Sequence, residues 1–149
     1  MNLTIAPLPQ AFLDRVRTHG LDDQNQPVRR VIAEGGEPCR DVLRRAEPGE
    51  ELLLASFTPF TVAGPYKEYG PIFVLANDTG EPTHLRPGYL RERFTIRAYS
   101  AAEEILDASL TEAADLDSTV ERFFATDATA FLHVRFPAYG CFAMRVERD

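Results

Sequence analysis

The sequence predicts an α+β fold, a mainly antiparallel sheet with two short helices, in a single domain over residues 1–149. Three observations carry this. Segments that alternate apolar and polar residues follow one another with only turns between them, as half-buried strands do. Two stretches alone show helical spacing of their apolar residues. The chain lacks the strand-helix-strand alternation that a doubly wound parallel sheet requires. A chain of this length buries roughly 70% of its unfolded surface, so one core suffices without staples.

Taken in order, residues 3–5 form a short first strand. Pro9 opens a helix to residue 18, with Phe12, Leu13 and Val16 on one stripe and Gly20 at its end. Residues 21–27 are polar loop. Residues 28–33 form a strand that Gly35-Gly36 breaks. After Pro38-Cys39-Arg40-Asp41-Val42-Leu43, the stretch Ala46-Glu47-Pro48-Gly49-Glu50 reverses the chain. Residues 51–57 are a strand built on Leu52-Leu53-Leu54. A long loop, 58–70, carries Pro59, Gly64 and Pro65, and loops of that length are often functional. Residues 71–76 are a buried strand, and 77–88 a second loop. Tyr66, Tyr69 and Tyr89 in these loops are candidate pocket-lining or loop-pinning groups. Residues 93–99 pair antiparallel with 104–110. Asp115 or Asp117 caps a helix over 116–125, with Val120, Phe123 and Phe124 inward. Glu103-Glu104 and Asp115-Asp117 read as caps and solvated charge. Residues 131–136 and 141–146 close the chain as a hairpin.

Sixteen basic residues against 23 acidic ones leave a formal charge of −7. That disfavours a general nucleic-acid binder, which needs a basic patch to release counterions, and leaves room for a local basic pocket. Every basic residue except Lys67 is an arginine, which reads as the codon bias of a GC-rich genome or as recognition of carboxylate or phosphate, which the planar fork suits. Cys39 and Cys141 form no Cys-x-x-Cys pair, and no His-x-x-x-His spacing exists, so neither a metal site nor a cofactor is expected. No disulfide is expected either. There is no Gly-rich phosphate loop and no Gly-x-Ser-x-Gly elbow. The start lacks a basic and then apolar leader, and no apolar run has membrane-spanning length. The expectation is a cytoplasmic, reduced protein without a membrane partner. In that compartment the glycosylation sequon Asn2-Leu3-Thr4 carries no meaning.

The final hairpin concentrates the useful chemistry. If Ala138-Tyr139-Gly140 is a three-residue loop with Gly140 left-handed, Phe136 faces Phe142, Val134 faces Met144 and Leu132 faces Val146. On the other, half-exposed face His133 then lies opposite Arg145, and Arg135 opposite Ala143. Two cations near His133 would lower its pKa and keep it neutral, able to act as base or donor. The candidate ligand-binding residues are therefore His133, Arg135 and Arg145, with Arg40 and the 58–70 loop completing a pocket. His133 is also the candidate catalytic residue. Cys141 reads as a small buried hydrophobe. For Cys39, the adjacent Arg40 could lower the thiol pKa, but neighbours on a strand point apart.

Several segments together resemble the bacterial family filed as domain of unknown function 1203. They are Pro38-Cys39-Arg40, Pro48-Gly49-Glu50 with Leu52-Leu53-Leu54, Pro59-Phe60, Gly70-Pro71-Ile72-Phe73-Val74, His133-Val134-Arg135 and Cys141-Phe142. The ordered set spans most of the chain. The resemblance implies no activity. In the family pattern the Ile-Phe strand runs into a histidine and then a cysteine. Here those places hold Leu75 and Thr79, which implies that any role of that pair is absent or altered.

Three readings stay open. One is a module that binds a small molecule or anion without chemistry of its own. Another is an enzyme using His133 on an arginine-held anionic substrate. The third is an interaction or structural domain, homodimeric through a sheet edge. Arginines converging in a concave pocket would favour the first two; a flat apolar patch on an edge strand would favour the third.

Overall fold

Two five-stranded sheets, both mainly antiparallel, organise the computed structural model, which describes residues 3–149. Asn2 of the sequon lies outside the described residues. The elements are β1 (Thr4–Ala6), α1 (Gln10–Asp14), β2 (Arg29–Ile32), β3 (Pro38–Cys39), β4 (Arg44–Arg45), β5 (Glu51–Phe57), β6 (Gly70–Leu75), β7 (Arg93–Tyr99), β8 (Ile105–Glu112), α2 (Leu116–Phe124), β9 (Phe131–Arg135) and β10 (Phe142–Glu147). The fold is α+β and strand-rich. The described chain divides into two compact units that interleave in sequence. The first comprises residues 3–6, Phe60–Lys67 and Leu90–Asp149; the second comprises Pro7–Pro59 and Glu68–Tyr89.

In the first unit the strand order is β1-β10-β9-β7-β8. β9 is central, and all five of its residues are buried. The half-exposed polar face expected of the hairpin is therefore corrected: the His133 side of β9 is buried as well, packed against Phe60, Tyr99, Phe131 and Phe142. Helix α2 buries Val120 and Phe123, as their spacing predicts, whereas Phe124, also expected inward, is only half-buried. Asp115 stands at its N-cap but makes no side-chain cap. Its φ of −104° and ψ of 10° lack the extended geometry that lets a capping carboxylate reach back.

The hairpin register is right at three pairs and wrong at two. Val134 faces Met144, Leu132 faces Val146, and His133 faces Arg145. Phe142, however, lies opposite Arg135, so neither the Phe136–Phe142 pair nor the Arg135–Ala143 pair forms. The turn is the cause. The Phe136 N–H donates to the Cys141 carbonyl at 3.0 Å, leaving a four-residue loop, 137–140. Gly140 is left-handed as expected, at φ 75°. The odd residue is absorbed as an irregularity between Phe142 and Met144. Such a bulge turns one side chain to the opposite face. Phe142 thus joins the His133 side.

The second unit has strand order β2-β5-β6-β3-β4, with β3 parallel to β6 through the Cys39–Phe73 pair. Ala33, Cys39, Val42, Ala46, Leu52 and Leu75 form one core cluster. α1 begins after Pro9 and continues as a π-helical turn, Arg15–His19, before left-handed Gly20. Phe12, Leu13 and Val16 are buried, as their stripe predicts. Cys39 and Cys141 are both free thiols. Burial, with Asp41 nearby, pushes the Cys39 thiol up to about 12. Cys141 is half-buried in its turn. In the native protein a water-soluble disulfide reagent at pH 8 is expected to titrate one thiol rapidly and the second only after unfolding. Two fast equivalents would overturn this.

Candidate functional site

His133 is completely buried in the first unit. Four rings surround it: Tyr99 at 4.9 Å between centroids, Phe60 and Phe131 at 5.1 Å, and Phe142 at 5.2 Å. Neither ring nitrogen has a hydrogen-bond partner among the described residues. Cross-strand register places Arg145 on one side of it and Arg97 on the other. Burial first, then Arg135, Arg145 and Arg97, holds its pKa well below the usual histidine value. The imidazole is neutral, as the sequence implies, with desolvation rather than the arginines as the main cause.

This has a measurable consequence. Above about pH 6.5 the folded and unfolded histidine are both neutral and no linkage arises. As pH falls below that value the unfolded chain takes a proton that the native state refuses. Unfolding free energy should then fall by up to about 1.4 kcal/mol per pH unit from this group. His133→Phe should flatten that part of the pH–stability profile. An unchanged profile in the variant would show that another group carries the acid sensitivity.

The arginines named from sequence are engaged. Arg135 is buried, and its Nη1 donates to the Gly140 carbonyl at 3.1 Å. Arg145 pairs with Glu147 at 3.0 Å and lies over the Phe131 ring at 3.9 Å. Arg40, in the second unit, is buried and donates to the Pro38 carbonyl at 2.8 Å. Of the long loop, Phe60 meets His133, and Glu103 holds the next residues. The Glu103 carboxylate accepts from the Thr61 and Val62 N–H groups at 2.8 and 2.6 Å. Glu103 is 7% exposed, so reading it as solvated charge is corrected: a carboxylate with several donors can be buried. Tyr89 is fully buried, whereas Tyr66 and Tyr69 are exposed.

A different constellation emerges in the second unit. A cavity of about 530 Å³ is lined by Pro7–Gln10, Leu13, Arg17, Asp41, Val42, residues 78–81 and Thr83. At it sits a buried ion pair, Arg17 Nη2 to Asp41 Oδ2 at 2.7 Å. Arg17 Nε and Nη2 also donate to the Leu75 carbonyl, at 3.2 and 3.1 Å. The Leu75 N–H donates to Asp41 Oδ1 at 3.3 Å, and the Thr83 hydroxyl to the Asp41 carbonyl at 2.7 Å. Burial pushes the Asp41 carboxyl up, against the pull of the Leu75 N–H and Arg17. The Arg17 guanidinium is thus fixed along two edges, while Nη1 has no protein partner among the described residues. The rim is fixed as well. Arg44 grips Glu81 through Nε and Nη2, both at 2.9 Å, and also holds Glu50 at 2.7 Å. Those bonds to Arg44 keep both carboxyls below the usual range. Among the described residues no three His, Cys, Asp or Glu gather to hold a metal. Among the described residues no helix is long and apolar enough to cross a membrane.

Sequence reasoning missed Arg17 and Asp41. They stand 24 residues apart, and both bond to Leu75. No short-range pattern joins a helix end, a turn and a strand end.

Comparison with known proteins returns one family model, described as protein of unknown function (DUF1203), which matches residues 36–148. No curated protein and no solved structure matches the chain.

Proposed function

The chain belongs to this DUF1203 family, and from that premise, which carries no activity with it, we propose that the protein is a small-molecule-binding domain whose ligand docks an anionic group on Arg17. The observation that carries the reading is the oriented guanidinium in a cavity of ligand size. Two of its nitrogens are committed to Asp41 and Leu75, and Nη1 remains for a ligand. Pockets of roughly 300–1,000 Å³ with a few converging polar groups are the usual form of such sites. A guanidinium held in place by a carboxylate loses little freedom when it binds a second anion.

Arg17 is preferred to the hairpin arginines because Arg40 and Arg135 are buried against backbone carbonyls and Arg145 is paired. Binding is preferred to catalysis because His133 is sealed among rings and Cys39 is held as a thiol. In this reading the protein works in a reducing bacterial cytoplasm, where both thiols stay free.

The test is calorimetry with a panel of small carboxylates at low and high salt. Arg17→Lys keeps a cation beside Asp41 but removes the fork. It should weaken carboxylate binding about tenfold or more, the worth of one charge-assisted hydrogen bond. Added salt should weaken it in the wild type. Equal affinity in the variant, or no binding by any carboxylate at millimolar concentration, would sink the reading.

A further inference from the structure

The carboxylates lining the Arg17 cavity are not equivalent. Asp41 is paired with Arg17. Glu81 is paired with Arg44, and Arg86 lies 3.9 Å from it. Asp78 lines the same cavity, is exposed, and has no ion-pair partner among the described residues. It is nonetheless held in place. Its Oδ1 accepts the Gly80 N–H at 2.8 Å, and the Glu81 N–H donates to the Thr79 hydroxyl at 3.3 Å. Gly80 is left-handed at φ 75°, and the Arg44 grip on Glu81 anchors the far side of this turn. Asp78 Oδ2 has no protein donor among the described residues. Leu8, Leu13 and Val42 supply apolar lining.

A cavity wall with one presented guanidinium, one unpaired carboxylate and an apolar lining complements a ligand carrying both charges. A purely anionic ligand would leave Asp78 unpaired and would meet repulsion from Asp41 and Asp78. We infer that the ligand is an α-amino-acid zwitterion with an apolar side chain, as a free amino acid or a short peptide, its carboxylate on Arg17 and its ammonium on Asp78. The inference rests on the binding reading above and adds the second charge.

The experiment is calorimetry on the full chain with leucine, leucyl-leucine, N-acetyl-leucine and leucinamide. Leucine or leucyl-leucine should bind, and whichever binds tighter identifies the free amino acid or the peptide as the source. Blocking either end should weaken binding about tenfold, one charged contact each. Asp78→Asn keeps the acceptor for Gly80 and leaves an exposed position folded. It should weaken leucine about tenfold and close the gap between leucine and N-acetyl-leucine. If N-acetyl-leucine binds the wild type as well as leucine does, the ammonium contact is wrong. In that case a loss in Arg17→Lys would still leave the carboxylate reading standing. If none of the four binds at millimolar concentration, the zwitterion assignment is overturned.

Discussion

Truncation of Phe142 to alanine is expected to destabilise the protein by about 3–5 kcal/mol. The side chain is 8% exposed at the start of β10 and meets the His133 ring edge-on at 5.2 Å. Removing it leaves a void next to a histidine that already lacks hydrogen-bond partners, and the central position of β9 restricts collapse into that space. The bulge does not rescue the site, because it moves Phe142 from one buried side of the hairpin to the other. Urea unfolding measures the effect. A loss below about 1 kcal/mol would place Phe142 at the surface and contradict the bulged register.

Arg17→Ala is expected to cost about as much, roughly 3–5 kcal/mol, for a different reason. It strands the Asp41 carboxylate, whose burial already pushes its pKa up. An uncompensated buried charge is far worse than no charge. The joint replacement Arg17→Met with Asp41→Leu should therefore recover part of the loss, since it leaves neither ion behind but takes these partners from the Leu75 N–H and carbonyl. The Arg17→Ala deficit should also shrink towards acid, where Asp41 takes a proton and ceases to be a stranded ion. A double variant as unstable as Arg17→Ala would show that the pair matters through packing rather than charge.

The strands and helices were legible because their signals are local. The Phe12, Leu13, Val16 stripe, the Leu52-Leu53-Leu54 run and the alternation over Arg93–Tyr99 each specify an element within one window. The hairpin shows where locality stops. Alternation correctly set Val134 against Met144 and His133 against Arg145. It could not see the four-residue turn, because loop length depends on which N–H and carbonyl close it, and one residue more or fewer reassigns a face. The burial of that face was equally hidden. A strand with alternating polarity reads as half-exposed unless what packs on its faces is known, and Phe60, Tyr99, Phe131 and Phe142 cover the His133 side of β9.

The candidate site divides along the same line. From the sequence alone came the α+β class, the two free cysteines and the family resemblance. All of these follow from residue type and near-neighbour spacing. Only the tertiary structure decided that His133 is sealed among four rings and that Arg40 and Arg135 are spent on backbone carbonyls. It also decided that Asp41 and Leu75 hold Arg17 while its Nη1 has no protein partner among the described residues. The Arg17 outcome depends on contacts between residues 24 and 58 positions apart, made when a helix end, a turn and a strand end meet. The free energy of burying a charge is set by what surrounds it in space, and a linear pattern does not carry that information.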